Sequence, residues 1–337
     1  TSTNSLTVNA NPSAVTVSAA SYCSGSSASL TASGGSGGTI YWQGISSGGT
    51  STANSGTTSP AYSSAGTYYA VAQSSAGCWG TEGSAALTEV TSPSNFTATS
   101  SAAGVCSGST VDLTTTLQTA TTPTAACYAT TTSYNYISQV QIGSQSYSQA
   151  INTANIETDL TSNVFEFVQG STNDISVTLG GSGTSGASMF IDWNNDGDFS
   201  DAGEFILTSG GYFSGTLTLS DYTVPTTASV GDKTMRVVCN YYSTVPGATG
   251  TFSYGECEKY TFRVLPSTYA WSSDVGGYTS SSANPTGASL TENTTYTLTL
   301  TDAAGCTGTA TAAVTYDQPA DATIAIGLVG QGGSSAS

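Results

Sequence analysis

Five of the chain's 21 acidic residues fall within thirteen positions, in the run Asp192-Trp-Asn-Asn-Asp-Gly-Asp-Phe-Ser-Asp-Ala-Gly-Glu204. Carboxylates this dense repel one another unless a cation neutralises them. Oxygen-bearing side chains alternate at Asp192, Asn194, Asp196 and Asp198, and Gly197 permits a sharp turn. That is the ligand pattern of a hard ion such as calcium, with Asp201 and Glu204 completing the shell. The spacing follows the start of an EF-hand loop, but the distal carboxylate stands at position thirteen rather than twelve and no flanking helix is evident. The expectation is a structural calcium site outside the EF-hand architecture. The competing reading is a solvated turn rich in Asn, Asp and Gly. A magnesium site for phosphoryl transfer would need a basic partner, which this run lacks.

Other chemistry is largely excluded. The chain has no histidine, which removes Ser-His-Asp and Cys-His catalysis and imidazole-dependent zinc sites. Glu256 with Glu258, and Glu157 with Asp159, are carboxylate pairs of the kind that hydrolyse glycosides. Residues two apart on a strand share a face, however, and such pairs read as solvated edges or cation ligands. Gly34-Gly-Ser-Gly-Gly38 leads into a strand rather than a helix, so it is a turn and not a phosphate cradle. No catalytic residue is expected. Net charge is -17, and the four bases, Lys233, Arg236, Lys259 and Arg263, lie in one short stretch. That balance argues against nucleic acid and anionic membranes as partners.

The elements that must position the acidic run are strands. Only 7% of the residues are charged and 39 are glycine, while Tyr, Val, Ile and Leu recur in short alternating runs, the signature of many short strands. No stretch has a helical period, and no apolar run approaches the roughly 20 residues of a membrane helix. At 337 residues two or three domains are expected. Seven cysteines on a loop-rich β chain point to an oxidising, extracellular compartment.

Two segments open alike, Tyr22-Cys-Ser-Gly-Ser-Ser-Ala-Ser-Leu30 and Val105-Cys-Ser-Gly-Ser-Thr-Val-Asp-Leu113, and two close alike, Thr67 to Cys78 and Thr295 to Cys306. A Trp strand stands between the ends of each copy, at Trp42 and Trp271. The first copy spans 11–91. The second is split into 92–118 and 267–317 by an insertion at 119–266, which is tolerated where the ends of the inserted domain lie close together. The matched positions predict disulfides Cys23 to Cys78 and Cys106 to Cys306 at one end of each sandwich, with Trp42 and Trp271 filling cores. Residues 1–10 resemble the last strand of a preceding module, and 318–337 contain what reads as the first strand of a following one. The chain is then either part of a tandem array or completes copies of itself by strand addition.

Three segments of the insertion resemble the GEVED domain of secreted and surface proteins that bacteria export by the type IX route. They are Tyr136-Ile-Ser-Gln-Val-Gln-Ile-Gly143, the acidic run, and Thr234-Met-Arg-Val-Val238 leading to Phe252-Ser-Tyr-Gly-Glu-Cys-Glu-Lys-Tyr260. The flanking copies look like the immunoglobulin-like modules common in such proteins. The resemblance implies an all-β chain of tandem immunoglobulin-like β-sandwich modules with an inserted β-sandwich. Its namesake motif reads Gly255-Glu-Cys-Glu-Lys259 here. Cys239 and Cys257 both depart from the family pattern on consecutive expected strands and are paired on that ground. Cys127 is then left over to remain free, to pair with another chain or to displace that pairing. The function expected is a non-enzymatic adhesin or fibre subunit at the cell surface, stabilised by disulfides and calcium. The alternative is a carbohydrate-binding module that meets surface glycans through tyrosines such as Tyr134, Tyr136, Tyr212, Tyr241 and Tyr242.

Overall fold

A computed structural model describes residues 8–130, 135–151 and 157–317. No helix of the described residues is long and apolar enough to cross a membrane. The chain divides into two compact units, one of Thr1–Thr97, Thr116–Tyr269 and Thr299–Ala310, the other of Ala98–Thr115, Ala270–Leu298 and Thr311–Ser337.

The first six strands are β1 (Val15–Ser18), β2 (Ala20–Cys23), β3 (Thr31–Gly34), β4 (Thr39–Gly44), β5 (Gly66–Gln73) and β6 (Gly83–Val90). β1 pairs with β3, and a second sheet runs β2-β6-β5-β4. Alternate residues such as Val15 and Val17 turn inward, as the two-residue period of a strand dictates, to pack on Leu30, Ile40, Tyr68 and Trp42. The Trp42 ring is buried and its Nε1 donates to the Gly56 carbonyl at 3.0 Å, so no polar atom of the ring is left unmatched.

Four short strands follow, β7 (Thr97–Ser100), β8 (Gly104–Cys106), β9 (Thr110–Val111) and β10 (Leu113–Thr116). The insertion then supplies β11 (Cys127–Ala129), β12 (Asn135–Ile142), β13 (Gln145–Ser148), β14 (Thr158–Val168), β15 (Thr172–Gly181) and β16 (Gly186–Ile191). It continues through β17 (Phe205–Thr208), β18 (Gly215–Thr223), β19 (Gly231–Asn240), β20 (Gly250–Phe252) and β21 (Gly255–Leu265). The last strands are β22 (Thr268–Ser273), β23 (Thr279–Ser280), β24 (Ala288–Ser289), β25 (Thr294–Thr301) and β26 (Thr307–Asp317). They form the sheet β23-β22-β25-β26-β8, beside the pairs β7 with β10 and β9 with β24. β25 alternates in burial along its length, turning Tyr296, Leu298 and Leu300 inward, and Trp271 is buried.

Two sheets of the insertion, β13-β12-β15-β18 and β14-β21-β19-β16-β17, enclose a core of Ile137, Val140, Ile175, Val177, Phe165, Met235, Tyr260 and Phe262. Each large side chain buried there contributes about 1.5–3 kcal/mol. The outer face of the five-stranded sheet carries a second cluster of Cys127, Phe190, Phe199, Val238 and Cys257. β16 is therefore buried at every position, which explains its unbroken run Gly-Ala-Ser-Met-Phe-Ile. Gly255, opening the namesake motif, has φ of 139°. A Cβ on it would lie 2.0 Å from the Cys239 carbonyl oxygen, so β21 can close on β19 only with glycine at this position.

The structure corrects all three expected disulfides. β2 runs parallel to β6 with Cys23 opposite Val90 at the strand's end, whereas Cys78 precedes the strand's start at Gly83. The two cysteines are thus about 23 Å apart along the strand, far beyond the roughly 7 Å that a bridge spans between Cα atoms. Cys106 lies likewise opposite Asp317 at the end of β26, while Cys306 precedes its start at Thr307. Cys239 stands opposite Glu256 and Cys257 opposite Val238, so their side chains leave opposite faces of one sheet. The bridges formed are Cys23–Cys306 and Cys127–Cys257, with Cα atoms 5.4 Å and 6.0 Å apart. Cys78, Cys106 and Cys239 are free. The terminal-strand expectations fall mainly on 1–7 and 318–337, outside the described residues, as does Tyr134.

Candidate metal centre

The acidic run connects β16 to β17 in the five-stranded sheet. Ile191 N–H donates to the Glu204 carbonyl at 2.9 Å and Asp192 N–H to the Thr234 carbonyl at 3.0 Å, which fixes both ends of the loop. Between them the chain turns through left-handed backbone at Asn195, Gly197 and Gly203, with φ of 63°, 90° and 93°. Asn and Gly are the residues that tolerate this conformation. Behind the loop, Thr121 Oγ1 donates to the Asn195 carbonyl at 2.8 Å, Thr124 N–H to the Gly197 carbonyl at 3.0 Å, and Asn195 Nδ2 to the Asp232 carbonyl at 3.0 Å.

The six expected ligands divide into two sets. Asp196, Asp198 and Asp201 are exposed, and their carboxylate oxygens lie within 4.8 Å of one another. Asn194 joins them, its Nδ2 donating to Asp196 Oδ2 at 3.0 Å and to Asp201 Oδ2 at 2.6 Å. Asp192 and Glu204 are buried behind this group. Glu204 accepts the N–H groups of Trp193 and Asp201 at 3.0 and 3.2 Å, which ties the loop's end to its start. Asp192 Oδ2 accepts the Gly197 N–H at 3.0 Å, and its Oδ1 is buried with no hydrogen-bond partner. A buried carboxylate oxygen so placed costs free energy unless a positive charge is near.

Burial pushes the Asp192 carboxyl up; the amides of Gly197, Asn195 and Asp196 oppose the shift and the Asp196 charge adds to it. Glu204 is raised too, by burial and then by Asp192 against backbone donors. Asp198 is held below the usual carboxylate range by the Ser200 N–H and hydroxyl, both 2.8 Å from Oδ1. Lys233 is fully buried, donates to Ser229 Oγ at 2.6 Å, and is lowered to about 8 by burial against the charges of Asp192 and Asp232. Every donor in the exposed set is an oxygen or can present one, and together with the unpaired Asp192 Oδ1 the set suits an oxygen-ligated hard cation.

The two acidic pairs considered for glycoside chemistry are differently engaged. Glu157 pairs with Arg236 Nε at 2.6 Å and Asp159 with Lys259 at 3.0 Å. Glu256 and Glu258 are not solvated, as their spacing suggested, but sit inside the sandwich because β21 is buried on both faces. Glu256 Oε2 accepts the Ile137 N–H at 2.9 Å and Glu258 Oε2 the Tyr260 hydroxyl at 2.7 Å. Burial drives the Glu258 carboxyl well above the usual range; the Glu256 charge adds to the rise and the Tyr260 hydroxyl opposes it.

Sequence reasoning missed Arg236, which lies fully buried 5.0 Å above the Phe199 ring of the acidic run and donates to the carbonyls of Ala125 and Ala248. Among the tyrosines, Tyr241, Tyr242 and Tyr254 cluster with ring centroids 5.1–6.3 Å apart beside Ser182 and Gly183, and Tyr212 lines the adjoining hollow with Thr184. Tyr254 was not foreseen, and Tyr136 is half-buried over Gly180 rather than free for a ligand.

In comparison with known protein families, residues 186–263 match the GEVED domain and residues 11–92 match the Ig-like domain, CHU_C associated. No curated protein matches the chain. Among solved structures it is similar to a Ca2+-stabilized adhesin that helps an Antarctic bacterium reach out and bind ice, at 14% identity over 92% of this chain and 100% of that one, TM-score 0.23. It is also similar to the N-terminal four Ig domains of Dscam1 isoform 4.44, at 11% identity over 89% and 97%, TM-score 0.20. The titin domains z1z2 in complex with telethonin show 12% identity over 76% and 94%, TM-score 0.20.

Proposed function

We propose that this chain is a non-enzymatic structural or adhesive unit of an extracellular bacterial surface fibre, in which calcium locks the 192–204 loop. The observation that carries the reading is the convergence of Asp196, Asp198 and Asp201 within 4.8 Å, backed by the unpartnered Asp192 Oδ1. Asp196, Asp198 and Asp201 would hold the ion, with Asn194 and Asp192 able to add oxygens. The ion would neutralise mutually repelling carboxylates and so fix the β16–β17 connection, a mechanical task. The charged neighbours support that role over catalysis. Lys259 and Arg263 are engaged in ion pairs, Arg236 is sealed inside the sandwich, and Lys233 is fully buried. The test is calcium titration followed by Trp193 emission, since the indole is buried in the loop and donates to the Gly203 carbonyl. A saturable change lost in Asp198→Asn supports the reading; a flat titration overturns it.

A second reading rests on the tyrosine cluster. Tyr241 and Tyr242 are 44% and 65% exposed, and aromatic faces beside small polar residues suit the apolar faces of sugar rings. Under this reading the chain also meets surface glycans. A glycan array in which the wild type binds and Tyr242→Ala does not is the expected result; absence of binding by the wild type rejects it.

A further inference from the structure

Two of the three free cysteines stand where their counterparts in the other module are bridged. Cys306 lies in a turn in which Asp302 N–H donates to the Cys306 carbonyl, Asp302 Oδ1 accepts the Cys306 N–H, and Gly305 has φ of 83°. The turn at Cys78 repeats this arrangement. Ser74 N–H donates to the Cys78 carbonyl, Ser74 Oγ accepts the Cys78 N–H, and Gly77 has φ of 86°. The same holds for the other pair. Cys23 ends a strand that runs parallel to its module's last strand, accepts from Ser26 N–H, and is followed by Gly25 at φ 79°. Cys106 ends a strand parallel to β26, accepts from Ser109 N–H, and is followed by Gly108 at φ 82°. Cys78 therefore stands in the same backbone setting as Cys306, and Cys106 in the same setting as Cys23. Yet only Cys23 and Cys306 are joined. Cys106 is exposed and Cys78 half-exposed, whereas the third free thiol, Cys239, is buried.

We propose that Cys106 of one copy forms a disulfide with Cys78 of a second copy, repeating between chains the bridge that Cys23 and Cys306 make within one. The first cysteine of each module sits at the end of its last strand and the second at that strand's start, so a bridge of this type joins the end of one module's last strand to the start of another's, and Cys78 and Cys106 are the two halves left unjoined. The inference deepens the fibre reading and rests on it for the choice of partner. The oxidant is a low-molecular-weight disulfide. The Cys106 thiolate attacks it and expels one thiolate; the Cys78 thiolate of the next copy attacks the resulting mixed disulfide and expels the other. The two protein protons end on the two released thiols, and the two electrons reduce the small disulfide.

The full chain is tested in a glutathione redox buffer and resolved without reductant. The wild type should give a ladder of multiples. Cys78→Ser and Cys106→Ser should each stay monomeric alone, and their equimolar mixture should give a dimer and nothing larger. Counting thiols in each variant verifies that the two internal bridges are intact. Dimers of either variant alone would show like-with-like pairing and overturn the proposal. So would a wild-type monomer that has lost both exposed thiols internally, or a mixture that ends only as glutathione-capped monomers. Electron microscopy of reduced wild-type chains separates the two readings: filaments without a ladder on oxidation reject the bridge alone, and a ladder without filaments rejects the fibre alone.

Discussion

Replacing Arg236 with methionine tests how the insertion holds the acidic run. The arginine is 1% exposed, pairs with Glu157 at 2.6 Å, and donates to Ala125 and Ala248 carbonyls at 3.2 and 2.8 Å. Methionine keeps the apolar stem but removes the guanidinium from all three acceptors and from the Phe199 ring. Breaking a buried ion pair by removing one partner costs about 3–5 kcal/mol. Glu157 is 20% exposed and regains some water, which favours the lower end. Each of the two stranded carbonyls adds about 1 kcal/mol or more, so the loss should be roughly 5 kcal/mol. For a domain of this size that lowers Tm by about 10–20 °C, read by calorimetry on the transition of the insertion. Adding Glu157→Gln should recover part of the loss, because the uncompensated charge goes with it. A single variant within 1 kcal/mol of the wild type, or a double variant no better than the single, would refute the reasoning.

Other outcomes follow from the same structure. Glu258 has its folded pKa raised by burial, so the native state holds the proton more tightly than the unfolded chain. Its contribution to stability is complete below the unfolded carboxylate value and is lost as pH rises through the folded value. Glu258→Gln should flatten the dependence of Tm on pH between about 5 and 8; a variant that loses more stability at pH 8 than at pH 5 contradicts this. Removing the Cys127–Cys257 bridge as a double serine variant opens a loop of 130 residues' separation and should cost about 4–5 kcal/mol in the chain-entropy account, measured by denaturant unfolding. Tyr242→Ala should abolish any glycan retention on affinity electrophoresis and leave Tm unchanged, since the ring is 65% exposed.

The fold class, the Trp42 and Trp271 core positions and the acidic run were legible because each is written locally, in alternation, in repeated strings and in spaced carboxylates. Disulfide partners were not. Matching Cys23 with Cys106 and Cys78 with Cys306 established equivalence, but pairing depends on which end of a sandwich each occupies. That in turn depends on β2 running parallel to β6, a long-range fact with no local signal. Cys239 and Cys257 looked like hairpin partners until the register placed them one residue apart, on opposite faces. The buried Glu256 and Glu258 were misread for a related reason: a strand covered on both faces breaks the rule that alternate charges face water. Within the acidic run, composition found the oxygens, but only the fold divides exposed Asp196, Asp198 and Asp201 from buried Asp192 and Glu204. The one local clue to that division was the apolar company of Trp193 and Phe199.

Thermal unfolding of the full chain across a calcium titration, wild type beside Asp198→Asn, tests the central claim most directly. Calcium at one hundred times its dissociation constant should stabilise the wild type by about 2.7 kcal/mol, raising the transition of the insertion by several degrees, with the variant unmoved and exhaustive chelation reversing the gain. Superimposable transitions with calcium and with chelator would mean that the loop at 192–204 is held by its own hydrogen bonds and that no cation stiffens this protein.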